Sequence, residues 1–357
     1  MINVTRTYLP SLKEYNKYLK TIWSSHWITN NGPLALELEQ KLKIYLGVKH
    51  LFFVSNGTIA LQLAIKALGI RKQILTSPFS FAATTSSIVW EGCAPRFVDI
   101  DPNTLCIDTN KIEEAITKDT EAILAVHVYG NPCDVKKIEA IAKRHKLNVI
   151  YDAAQAFGVR YDKKSILSYG DISTISFHAT KLFHTAEGGA IVTNDDKLAQ
   201  TIYSMRNFGY DDNDNIVEIG VNAKNSELHA AMGLCVLPKV KSIIKRRKEI
   251  CGLYSKLLMN TLLQMPAINP NATKNYAYYP VIFPSEKMML KVKRHLNARK
   301  IFPRRYFYPS LNSLNYVEHT SCPVAEDVSK RVLCLPLYPE LTNRNIAEIA
   351  RLVLEKL

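Results

Sequence analysis

Lys181 follows the apolar stretch ISTISFH, on the string Ser176-Phe177-His178-Ala179-Thr180-Lys181, and Asp152 ends another such stretch, VIYD, 29 residues earlier. A lysine at the mouth of an apolar sheet is a poor core residue. Partial burial lowers the pKa of its amine and makes the neutral form a nucleophile. A carboxylate at a strand end lies where open α/β sheets place their ligands, and poor solvation there calls for a cationic partner. A third feature, Ser55-Asn56-Gly57-Thr58, joins an apolar strand to a helical pattern. Glycine permits the tight turn, and Thr58 reads as the helix N-cap. The N–H groups that follow point outward at the positive end of the helix dipole, an anion site. A fourth, Gly220-Val221-Asn222-Ala223-Lys224, is a turn whose Asn and Lys suit a phosphate, while Glu187-Gly188-Gly189 allows close backbone approach.

Singly, these features have ordinary explanations: a strand-to-helix turn, a helix-capping acid, a lysine snorkelling to the surface. Jointly they are the parts that pyridoxal phosphate needs. The lysine forms the Schiff base, the cradle holds the phosphate, and the acid pairs with the pyridinium nitrogen and keeps the ring an electron sink.

The elements that must carry these residues are legible as periodicity. Strand candidates are 50–54, 74–76, 96–100, 121–130, 147–152, 172–178 and 190–193, with helix candidates such as 58–69 and 135–146 between them. The strands are apolar on both faces, as in a parallel sheet covered by helices, which predicts an α/β/α domain. The helix at 58–69 is apolar nearly all round, with Gln62 and Lys66 as a narrow polar stripe, and reads as buried. After about residue 235 the texture changes. A long basic amphipathic helix from near Leu237 to Asn260 precedes a Pro/Asn-rich loop, a strand YAYYPVIF, a helix at 285–299 and a closing helix after Pro339. The expected organisation is an N-terminal arm and large domain over 1–235, then a smaller α+β domain over 236–357.

A length of 357 residues suits about two domains, and 47% apolar with 22% charged residues is a globular balance. No run is long and apolar enough for a membrane-spanning helix, and the N-terminus lacks a signal-peptide pattern, so the expectation is a cytoplasmic protein without a membrane partner. The net charge of +14 favours anionic partners, phosphorylated small molecules or nucleic acid. Seven cysteines form no CxxC pair and read as buried free thiols. His178 and His184 with scattered cysteines make no ligand pattern, so no metal is expected. A nicotinamide enzyme would need GxGxxG after the first strand, and the chain has none. A nucleic-acid-binding protein is supported by charge alone.

The strings SNGTIALQLA, FSFAATTSSI, FVDID, YDAAQAFG, SFHATKLFHTAEGGAI and GVNAKNSELHAAMG, in that order, resemble the DegT/DnrJ/EryC1/StrS sugar aminotransferases of fold type I. The resemblance runs from residue 27 to residue 312. Within the family, SFHATK-x-FH-x-x-EGG is most similar to the enzymes that aminate C4 of dTDP-4-keto-6-deoxy-glucose. The resemblance implies Lys181 as the Schiff-base lysine and Asp152 on the pyridinium nitrogen. Gln155 would lie near the ring hydroxyl and Phe81 on the pyridine face. Gly57, Thr58 and Ser176 would hold the phosphate. Asn222 would reach the phosphate of a neighbouring subunit, which implies a homodimer with shared sites. L-Glutamate is the implied donor, in a ping-pong exchange in which Lys181 is the only general base. Arg304, Arg305, Tyr306 and Tyr308 in FPRRYFYPS are candidates for holding the substrate. Lys224 and Asn225 stand where many relatives carry Arg and Met; lysine is no bidentate fork, so no substrate role is carried over to Lys224. A C3-keto or GDP-linked sugar is the alternative substrate.

Overall fold

The computed structural model describes residues 1–357. Seven strands form the central sheet: β1 (His50–Val54), β2 (Gln73–Thr76), β3 (Ala94–Phe97), β4 (Thr120–Val126), β5 (Asn148–Asp152), β6 (Ile172–Ser176) and β7 (Gly189–Thr193). Their order is β1-β7-β6-β5-β4-β2-β3. Only β7 runs antiparallel to its neighbours. Both sheet faces are apolar, as the strand composition predicts. In β4, Ile123 and Ala125 pack into one core cluster, and Ala122 and Leu124 into the other. That alternation is the two-residue period of a strand buried on both sides.

Register places the chemistry. Asp152 at the end of β5 lies opposite Val126 of β4 and Thr174 of β6. Gly189 of β7 lies opposite both Val54 of β1 and Ser176 of β6, so the turn after β1 and the segment leading to Lys181 emerge side by side. Helix α1 (Gly57–Ala67) leaves that turn and buries Ala60, Leu61, Leu63, Ala64 and Ile65. Its polar stripe behaves as expected: Lys66 is exposed, and Gln62 donates to Glu91 Oε1 at 3.1 Å. Helix α2 (Ala82–Trp90) packs beside it.

Three elements differ from the expectation. The 121–130 strand stops at Val126 and closes in a 3-10 turn at Val128–Gly130. The long helix α3 spans Val240–Leu257 and is preceded by a 3-10 turn at Leu237–Lys239, because Pro238 cannot donate into a regular helix. The strand expected over YAYYPVIF is only Pro280–Ile282, antiparallel to Val332–Cys334. A separate core under α3 gathers Ile250, Tyr254, Phe283, Met289, Leu296, Ile349 and Val353. The N-terminal Ile2–Asn3 pairs in parallel with Ile301–Phe302, which ties the start of the chain to this second core. All seven cysteines are free and buried. No helix is long and apolar enough to cross a membrane.

Candidate active site

The cradle is built by the turn between β1 and α1. Its cap is Asn56, whose Oδ1 accepts from the Ile59 N–H at 2.8 Å. The expected cap, Thr58, instead lies inside the first turn. The reason is positional: β1 ends one residue before Ser55, whose N–H is held by the Ala223 carbonyl at 2.8 Å, so Asn56 is the first residue free to turn back on the helix. The N–H groups of Gly57 and Thr58 therefore have no intrahelical acceptor and face the cavity. Two glycines make the approach feasible. A Cβ on Gly57 would lie 3.0 Å from Ser176 Cβ, and one on Gly189 would lie 2.6 Å from the Asn56 carbonyl.

Asp152 is 6% exposed. Its carboxylate accepts from Thr84 Oγ1 at 2.7 Å and from the Ala154 N–H at 3.1 Å, and Thr84 in turn lies 2.7 Å from Ser80 Oγ. No Lys, Arg or His forms an ion pair with it, although a buried carboxylate calls for one. Lys181 shares the cavity. Burial lowers its amine pKa; the charges of Asp152 and Tyr306 oppose that shift and Arg304 adds to it. The amine makes no ion pair and no hydrogen bond in the protein. Gln155 is buried, with Oε1 accepting the Tyr129 N–H, so its amide turns the donor Nε2 to other partners. Phe81, 56% exposed, stands on the wall as an uncovered aromatic face.

These groups converge on one cavity of about 260 Å³ that holds Gly57, Thr58, Phe81, Asp152, Gln155, Ser176 and Lys181. The four substrate candidates separate. Arg304 and Tyr306 line the cavity and Arg305 and Tyr308 do not. Arg305 is tied to Glu286 Oε1 at 2.8 Å and to the Lys330 carbonyl at 3.1 Å, and its guanidinium stacks 3.5 Å over Tyr308. Arg304 has no carboxylate partner and lies 4.7 Å over the Tyr306 ring. Burial pushes the Tyr306 phenol up to about 12, so it stays a donor. Asn222 is exposed and outside the cavity of its own chain. Lys224 is held within its own chain, 2.6 Å from Asn207 Oδ1 and 4.7 Å over Phe208.

Several lining residues carried no site role of their own in the sequence reading: Asn56, His178 and Glu187, which stand within its motifs, and Ser80 and Tyr278, with Thr84 just behind Asp152. For Thr84 a signal existed, since it stands one helical turn after Ser80 in FSFAATTSS. Tyr278 was hidden in an apparent strand.

A buried, unpaired carboxylate, an unpaired lysine of lowered pKa and a helix N-terminus with free donors fit pyridoxal phosphate. Residues 11–354 match the DegT/DnrJ/EryC1/StrS aminotransferase family. The chain belongs to this family. This aminotransferase is 43% identical over 350 residues to a dTDP-4-amino-4,6-dideoxy-D-glucose transaminase of Shigella dysenteriae, covering 96% of this chain and 95% of the relative. It is 34% identical to a GDP-perosamine synthase of Escherichia coli O157:H7, covering 98% and 97%. The solved structure of DesI with its TDP-sugar product superposes with a TM-score of 0.93 at 32% identity, covering 99% of this chain and 92% of that one. The cofactor of this aminotransferase is pyridoxal phosphate.

Proposed function

We propose that the enzyme moves the amino group of L-glutamate to C4 of dTDP-4-keto-6-deoxy-D-glucose, giving dTDP-4-amino-4,6-dideoxy-D-glucose and 2-oxoglutarate. The observation that carries the chemistry is Asp152, buried without a cation of its own, in one cavity with the unpaired Lys181. The dTDP-sugar relative at 43% identity supports the substrate.

Pyridoxal phosphate, when bound, supplies an electron sink and carries nitrogen between the two half-reactions. The residues divide the remaining work. Thr84 and the Ala154 N–H each bond one oxygen of the Asp152 carboxylate, and the second lone pair of either oxygen can accept a protonated ring nitrogen. The Gly57 and Thr58 N–H groups and the Ser176 hydroxyl bind the phosphate at the positive end of α1. Phe81 would stack on the ring and Gln155 Nε2 would donate to the ring oxygen. Lys181 Nζ removes the α-proton of the donor and later delivers a proton to the sugar carbon that gains nitrogen. Burial keeps that amine in its basic form at lower pH than an exposed lysine. Arg304, the unpaired cation at the mouth, holds an anionic group of the substrate, and Tyr306 donates beside it. Asn222, exposed on its own chain, completes the phosphate site of a second subunit in a homodimer.

A second reading, a GDP-linked keto-sugar, is favoured by the 34% identical perosamine synthase. Incubation with L-glutamate and a panel of dTDP-, GDP- and UDP-linked keto-sugars, with products read by NMR, separates the two. A product aminated at C4 from the dTDP sugar alone supports the proposal; turnover of the GDP sugar alone replaces it with the second reading.

A further inference from the structure

The catalytic cavity has a neighbour. A second cavity, about 350 Å³, opens on the far side of Tyr278, which lines both. Its size falls in the range of small-molecule sites, about 300–1,000 Å³. Lys248 of α3 and Lys274 of the following loop line it, both exposed and neither paired with a carboxylate. Ser255 and Tyr279 add two hydroxyls 3.2 Å apart, and Met265, Pro266 and Ile268 form an apolar wall. The segment that supplies most of the lining is cationic. Residues 236–357 carry 21 Lys and Arg against 8 Asp and Glu, a net +13 of the chain's +14. Such a field concentrates anions at a concave site.

We propose that this second cavity binds a nucleoside phosphate, with Lys248 and Lys274 on the phosphate oxygens and the base against the apolar wall. Two unpaired ammonium groups beside an apolar, tyrosine-bearing surface match a ligand that is anionic at one end and flat and apolar at the other. A concave site of this volume suits a small molecule better than a nucleic-acid strand or a lipid surface. The site is wired to the catalytic wall. Tyr129 lines it, and its N–H donates to Gln155 Oε1 while its hydroxyl donates to the Tyr306 carbonyl at 2.8 Å. Asn275, another lining residue, donates to the Gln155 carbonyl at 2.8 Å. An occupant therefore touches three residues, Tyr129, Asn275 and Tyr278, that contact or form the wall of the catalytic cavity. The site has the placement of a regulatory one, reading the level of a nucleotide.

The test is equilibrium dialysis of the holoenzyme with labelled dTDP, which also probes the catalytic cleft. Lys248→Gln/Lys274→Gln removes both cations at exposed positions. Gly252→Phe places a ring in the cavity from α3, at a position where an added Cβ meets nothing within 4 Å, and its circular dichroism and thermal unfolding midpoint are compared with those of the parent. The expected result is two dTDP per chain in the native enzyme, one of them lost in Gly252→Phe and weakened about a hundredfold in the lysine variant. One dTDP per chain that both variants lose also supports the second site, and then removes the nucleotide-sugar reading of the catalytic cleft instead. Binding of one or two dTDP that neither variant changes, or no binding at all, overturns the proposal.

Discussion

Asp152 and Lys181 divide the chemistry between two charges, and substitution separates their roles. Lys181→Ala removes the only base in the cavity with an unpaired amine, so transamination should fall to background in a coupled 2-oxoglutarate assay. Near-normal turnover would remove the lysine from the mechanism. Asp152→Asn keeps the shape and the Thr84 contact but loses the negative charge. It should still bind the cofactor covalently, seen as colour that borohydride fixes, while kcat drops about a hundredfold or more. Full activity would reduce Asp152 to a structural cap. At this scale the sequence was readable for residue types and unreadable for direction. Arg304 and Arg305 are adjacent and look equivalent. Arg304 lies on an extended segment that bridges to Cys334, and successive side chains there point to opposite sides. One arginine therefore meets the cavity and the other meets Glu286, and nothing in the string FPRRYFYPS shows which.

The elements around the site are held by close backbone contact and by buried polar groups, and both can be probed. Asn56→Ala deletes the cap of α1 and should cost about 1 kcal/mol in denaturant unfolding, with weaker cofactor retention, because the same turn presents the phosphate donors. An unchanged cofactor affinity would detach the cap from the cradle. His127, fully buried at the end of β4, stacks 4.7 Å from Tyr151 and accepts the Cys133 N–H at Nδ1. Burial lowers its pKa from 6.5 to about 3. The folded value lies below the ordinary one, so the stability held by neutral His127 is complete above pH 6.5 and is lost as the pH falls towards 3. Between pH 7 and pH 5 the loss should be about 2 kcal/mol, and His127→Phe should flatten that slope in urea titrations. Equal slopes for parent and variant would contradict it. The strands were legible because burial on both faces leaves the continuous apolar runs of EAILAV and NVIYD. The ends were not. Tyr278 reads as part of a strand by composition, yet pairing begins only at Pro280, and the preceding turn, with Tyr276 at φ 55°, leaves Tyr278 on both cavities.

At the scale of the whole molecule the chain leaves apolar surface uncovered beside its own cavity. Phe208, Ile216, Val217, Ile219 and Val221 are exposed on the segment that carries Asn222, Ile219 by 74%. Five exposed apolar side chains within fourteen residues suit an interface. Light scattering should show a homodimer, and Ile219→Asp should weaken it. Mixing Lys181→Ala with Asn222→Ala chains should restore activity once subunits exchange, since one of the two shared sites is then intact. No gain despite proven exchange would mean that each site is built from one chain. Charge belongs to this scale as well: it could be counted from the sequence, but which cations line a cavity, Lys181 and Arg304 in one and Lys248 and Lys274 in the other, could not. The proposed substrate is a nucleotide sugar held largely through its phosphates. The most direct test compares kcat/KM for dTDP-4-keto-6-deoxy-glucose and for free 4-keto-6-deoxy-glucose at saturating L-glutamate. The expected result is a preference of about a thousandfold or more for the dTDP conjugate, the worth of two or three charge-assisted contacts. Equal values for the two sugars would contradict it.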